Sequence, residues 1–128
     1  MSAKLPYIRP VVHKQVIGII PDSQYKTVVN LDRRYVDVSD GFCDLVGYKR
    51  EELIGKQYDD LTAPKTNDIP TVFKLFTKSG YMHGLWMLVN RQGDTILVRY
   101  ESWIRADSLI EGRMETVDSQ AAVKVARA

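Results

Sequence analysis

Beyond Gly80 the chain changes its hydrophobic period, and that switch limits the fold more than any other feature. The runs "GLWMLVN", "TILVRYESWIR" and "SLIEGRMETV" read as strands, with only "NRQGD" and "RAD" between them. Links this short join antiparallel neighbours, because a parallel crossover needs roughly a dozen residues or more. In the middle run Ile96, Val98, Tyr100, Ser102 and Ile104 share one face. Thr95, Leu97, Arg99, Glu101 and Trp103 share the other. The C-terminal part is therefore a meander, and the rest of the chain must cover one side of it.

Upstream, "YKTVVNLDRRYVDVS" supplies two more β-rich runs, Tyr25–Leu31 and Tyr35–Ser39, about a polar "DRR" turn. Short helical stripes follow. Ser39 or Asp40 caps a helix carrying Phe42, Leu45 and Val46, which Gly47 stops. Glu51 and Glu52 open a second helix that buries Leu53 and Ile54 and ends at Gly55. "YDDLTAP" adds a turn before Pro64. "DIPTVFKLFTKSG" is a longer helix with Ile69, Val72, Phe73 and Phe76 on one face, Pro70 in its first turn and Gly80 at its end. The pattern predicts an α+β fold, a five-stranded antiparallel sheet with short helices on one face.

A chain of 128 residues, 45% of them apolar, suits one globular domain. The apolar run Val16–Ile20 is far below the ~20 residues of a membrane span, and the N-terminus lacks the apolar core of a secretory signal. These features predict a cytoplasmic protein with no membrane partner. A net charge of +2, from 18 basic and 16 acidic residues, gives no basis for a direct nucleic-acid partner. One cysteine and two distant histidines make neither an internal disulfide nor a zinc site of the usual ligand count. Residues 1–24, punctuated by Pro6, Pro10 and Pro21, read as an arm or cap. The domain runs over 25–119, and 120–128 begins a C-terminal linker helix that Asp118 or Ser119 can cap.

No phosphate loop, Ser-His-Asp arrangement or metal triad appears, so no enzymatic activity is expected. Glu51-Glu52 and Asp59-Asp60 are adjacent pairs whose side chains diverge, and they read as solvated helix termini. A small α+β isomerase would need one buried acid. Glu101, Glu111 and Glu115 are the strand candidates, although outward-facing ion pairing accounts for them as well.

The segment "VVNLDRRYVDVSDGFCDLVGYKREELIGKQYDDLTAP" resembles the PAS sensory domain: its hairpin, a helix ending in Gly-Tyr, an "EELIG" turn and a proline. The later helix and meander, with Gly93 in the first turn, are similar to the same plan, so the likeness spans about Tyr25 to Ser119. Departures are Ser39 where the family often has Asn, Lys49 in a Ser/Thr cap position, "APKTND" after the first helices, and "RQGD" without Asp before its Gly. The resemblance implies a small molecule or cofactor held between helices and sheet, pairing of two domains, and relay to an effector domain or signalling protein, as in two-component or transcriptional regulation. It does not name the cofactor. Relatives that form a flavin–cysteine adduct carry Gly-x-Asn-Cys-Arg-Phe-Leu after the "EELIG"-like turn. Here the run is "GKQYDDL", with Tyr58 in the cysteine's place and Gln57 and Asp59 for the asparagine and arginine. Haem-binding relatives carry a histidine on or near the long helix, and here only His83 comes close.

The predicted pocket wall is Phe42, Val46, Val72, Phe73, Phe76, Trp86, Leu88, Val98, Tyr100 and Ser102, with Tyr100 and Ser102 as its hydrogen-bonding groups. The same residues could instead simply fill the core. The competing function is a ligand-free interaction module, dimerising through exposed Leu97 and Trp103. Cys43, beside Phe42 and flanked by Asp40 and Asp44, reads as a small buried hydrophobe and not as a nucleophile.

Overall fold

The structure is a computed structural model and describes residues 19–20, 22–64 and 68–117. The expected linker helix at 120–128 and most of the arm at 1–24 lie outside the described residues. Strands β1 (Tyr25–Val29) and β2 (Tyr35–Val38) come first, then helices α1 (Asp40–Val46) and α2 (Arg50–Leu53) and a 3-10 turn at Tyr58–Leu61. Helix α3 (Ile69–Ser79) leads into β3 (Tyr81–Val89), β4 (Thr95–Ile104) and β5 (Ile110–Thr116). The strands form one five-stranded sheet in the order β2-β1-β5-β4-β3, antiparallel throughout. Among the described residues no helix is long and apolar enough to cross a membrane.

All three hairpins use one turn geometry. Asn30 N–H donates to Arg34 O at 2.9 Å, Asn90 N–H to Asp94 O at 2.9 Å, and Arg105 N–H to Leu109 O at 2.7 Å. Each turn has one residue at positive φ: Arg33 at 63°, Gly93 at 89° and Ser108 at 68°. Glycine takes that conformation without steric cost, whereas Arg33 is held there by other contacts. Its guanidinium makes a two-pronged bond to Asp59, at 2.9 and 3.0 Å.

The helices are tied to the sheet by their caps. Ser39 Oγ accepts from Phe42 N–H at 3.2 Å and from Lys26 N–H at 2.9 Å, and donates to Gln24 O at 2.6 Å. One hydroxyl thus uses all its capacity to pin α1 against β1. The approach leaves no room for a side chain at Gly41, whose Cβ would lie 2.3 Å from Gln24 O. At α2 the ammonium of Lys49 cannot accept a bond, and Glu52 instead accepts from Lys49 N–H at 2.8 Å, half of a capping box. Ile54, expected inside, is 42% exposed, because a single turn can direct only Leu53 inward. Phe42, Val46, Leu53, Leu61 and Val98 are fully buried and form the centre of the core.

The outer face of the sheet differs from expectation. Trp103, expected exposed, retains only 8% of its accessible surface, and the Arg113 guanidinium stacks 5.1 Å from its ring centre. Leu97 is half-buried. Glu101 is fully buried on this face; Tyr81 Oη donates to it at 2.8 Å and Ile20 N–H at 3.3 Å. Ile20 is itself buried, so this end of the outer face is covered. Glu111 and Glu115 do pair with arginines, Arg105 at 3.7 Å and Arg99 at 2.9 Å.

Candidate ligand cavity

The opposite face of the sheet carries Thr27 and Val29 on β1, Met82, Trp86 and Leu88 on β3, Val98, Tyr100 and Ser102 on β4, and Ile110, Gly112 and Met114 on β5. Together with Tyr35, Tyr58 and the α3 residues Val72, Phe73 and Phe76, they line a half-open cavity of about 100 Å³. Of the sequence-predicted wall, Val72, Phe73, Phe76, Trp86, Leu88, Val98, Tyr100 and Ser102 line this space. Phe42 and Val46 do not: both are fully buried behind it, in the packed layer between α1 and the sheet.

The walls are rigidly braced. The Trp86 ring meets Tyr58 edge-on at 6.0 Å and Tyr100 edge-on at 5.8 Å. Its indole N–H donates to Thr62 Oγ1 at 2.9 Å, and Thr62 in turn donates to Tyr58 O at 2.8 Å. Phe73 and Phe76 tilt together at 6.3 Å. Arg33 lies 5.4 Å over the Phe73 ring while bonding Asp59, so the first hairpin turn, the 3-10 turn and α3 share one charged clamp at the cavity's edge.

The lining is apolar apart from hydroxyls. Burial pushes the phenols of Tyr35, Tyr58 and Tyr100 above their ordinary value, so all three are neutral donors and acceptors at physiological pH. No lining residue carries a charge. Glu101, Glu111 and Glu115 do not line the cavity, which leaves it without the buried acid that an isomerase would use. His83 is exposed on β3 and outside the lining, and His13 lies outside the described residues. Among the described residues no group of His, Cys, Asp and Glu is placed to hold a metal. Cys43 is half-buried against the core and outside the cavity; burial pushes its thiol up, against the weaker pull of Arg50. A thiol kept protonated is a poor nucleophile, and its role is packing.

Sequence reasoning missed Thr27, Val29, Tyr35, Tyr58, Met82, Ile110, Gly112 and Met114. Alternation within "IEGRMET" already puts Ile110, Gly112 and Met114 on one side. What the alternation lacks is the pairing of β1 with β5, which sets Thr27 opposite Gly112.

No family model and no curated protein matches the sequence. Solved structures do match. A domain of the sensory box sensor histidine kinase/response regulator from Geobacter sulfurreducens is 17% identical with a TM-score of 0.64, covering 88% of this chain and 96% of that one. The light-state LOV domain of the blue-light photoreceptor Aureochrome1 is 16% identical with a TM-score of 0.69, covering 86% and 97%. The PAS domain of an HTR-like protein from Haloarcula marismortui is 14% identical with a TM-score of 0.62, covering 86% and 94%. The chain has the PAS fold, with no subfamily marked.

Proposed function

We propose that this PAS-fold domain is a sensory module: it holds a small molecule non-covalently between α3 and the sheet and relays occupancy to an effector domain or signalling protein. It does no chemistry of its own. One observation carries the reading, a half-open pocket of about 100 Å³ let into the core between α3 and the sheet. Protein interiors are close-packed, and an apolar hollow let into one forfeits dispersion contacts along its walls, so a hollow with braced aromatic walls favours an occupant. The sensor histidine kinase and photoreceptor domains of like fold favour a signalling role.

The space does not suit flavin or haem. Drug-sized ligands occupy roughly 300 Å³ or more, several times what is open here. Tyr58, which stands where the adduct-forming relatives have cysteine, puts a ring into the wall. The fitting occupant is a single ring or its equivalent. It can act as a signal only by binding two conformations unequally, and a tenfold population change needs about 1.4 kcal/mol of difference. Relay by pairing of two domains is the other route, with Leu31, Leu75 and Leu85, all more than half exposed, among the apolar side chains available for it.

An NMR titration of the full chain with a panel of neutral ring-sized molecules, benzene among them, tests the reading. Saturable shifts at the Trp86 indole and the Val98 and Gly112 amides are expected. If no panel member shifts them, the cavity is not a ligand site.

A further inference from the structure

Resting on that reading, we propose that the occupant is a neutral, ring-sized molecule carrying one hydroxyl, carbonyl or amide group, and that the hydroxyls of Thr27 and Ser102 recognise it across Gly112. The three residues lie side by side on β1, β5 and β4, Thr27 opposite Gly112 and Gly112 opposite Ser102. With no side chain at Gly112, the floor is notched there. A Cβ at that position would lie 2.9 Å from Thr27 Oγ1 and 3.4 Å from Ser102 Oγ, so both oxygens address one point. Gly84, the other glycine facing the cavity side, is covered by the Tyr100 ring at 3.5 Å and offers no such notch.

Thr27 is 7% exposed and Tyr35 is 3% exposed, and both line the cavity. Among the described residues none of the Thr27, Ser102 and Tyr35 hydroxyls makes a hydrogen bond. Buried polar groups in folded proteins are nearly always paired; Thr27 and Tyr35 are such groups, Ser102 is half-buried, and all three border the same space. A ligand atom above Gly112 would meet two hydroxyls, each able to donate or accept, which suits an alcohol, a carbonyl or an amide equally.

Neutrality follows from the lining. A carboxylate or ammonium brought here would leave water without meeting an opposite charge, since no lining residue is charged and the guanidinium at the cavity's edge, Arg33, is already committed to Asp59. Size follows from the volume: an engineered cavity of roughly 150 Å³ takes benzene, and the long, pliant side chains of Met82 and Met114 can shift to widen this one by the difference.

Phenol and benzene make the test, titrated by NMR into the intact chain and into Thr27→Val, Ser102→Ala and the double variant, each nearly isosteric. A site built to pair a hydroxyl discriminates strongly against the analogue without one. Phenol is expected to bind at least about tenfold tighter than benzene, and the double variant to erase most of that preference by weakening phenol while binding benzene at least as tightly as the parent does. Equal affinity for the two molecules overturns the polar recognition and leaves the ligand-sensing reading intact. A preference that survives the double variant overturns the assignment to Thr27 and Ser102. Benzoate binding tighter than phenol overturns neutrality. Failure of benzene and phenol alike removes the ligand-sensing reading and this inference with it.

Discussion

Glu101 and Ser102 are consecutive on β4 and face opposite sides of the sheet. On the outer side, the Glu101 carboxylate is fully buried and receives bonds from Tyr81 and Ile20. On the inner side, the Ser102 hydroxyl faces open space with no partner among the described residues. One strand therefore carries a fully buried, satisfied carboxylate and a half-buried hydroxyl a single residue apart. The contrast separates structure from function: a buried group that the protein satisfies holds the fold together, and a hydroxyl that it leaves unpaired on a pocket wall is available to something else.

The faces should respond very differently to mutation. Trp103→Ala, on the covered outer side, is expected to cost about 3–5 kcal/mol, read from the urea unfolding midpoint. Trp103→Glu should then abolish folding; a folded variant altered only in self-association would return Trp103 to the surface. Next in size, Glu101→Ala removes the acceptor of the Tyr81 hydroxyl and Ile20 amide bonds and is expected to cost about 3 kcal/mol by the same measurement. A loss below about 1 kcal/mol would show that the outer network is not what stabilises this end of the sheet.

Inner-face changes are smaller and fall on binding. Gly112→Ala puts a methyl 2.9 Å from Thr27 Oγ1, which is expected to cost about 1–2 kcal/mol in stability and to weaken phenol binding. Thr27→Val and Ser102→Ala are the mildest, each within about 0.5 kcal/mol of the parent in either direction, because no protein hydrogen bond is lost. A larger destabilisation in calorimetry would mean that those hydroxyls do pair within the fold.

Local signals in the sequence were strong where one residue type has one physical use. Gly47 and Gly80 end their helices in the left-handed conformation, at φ 78° and 75°, and Ser39 and Asp68 cap the starts. Val98, Tyr100 and Ser102 reach the cavity because strand alternation is a property of the backbone itself. Trp103 and Ile54 went the other way, since alternation and helical spacing assign faces without saying how each face is covered. Ile20 and Arg113 decide that for Trp103, and the shortness of α2 decides it for Ile54.

Taken alone, the sequence determined the strands, the helices, their antiparallel turns and the absence of charge among the residues predicted to line the pocket, because each depends on neighbours a few positions away. Only the tertiary structure decided that β1 pairs with β5, that Thr27 and Ser102 flank a bare Gly112, and that α3 closes over them without filling the gap. Those facts join residues far apart in the chain, through hydrogen-bond register and packing volume, and neither quantity is written in any local stretch.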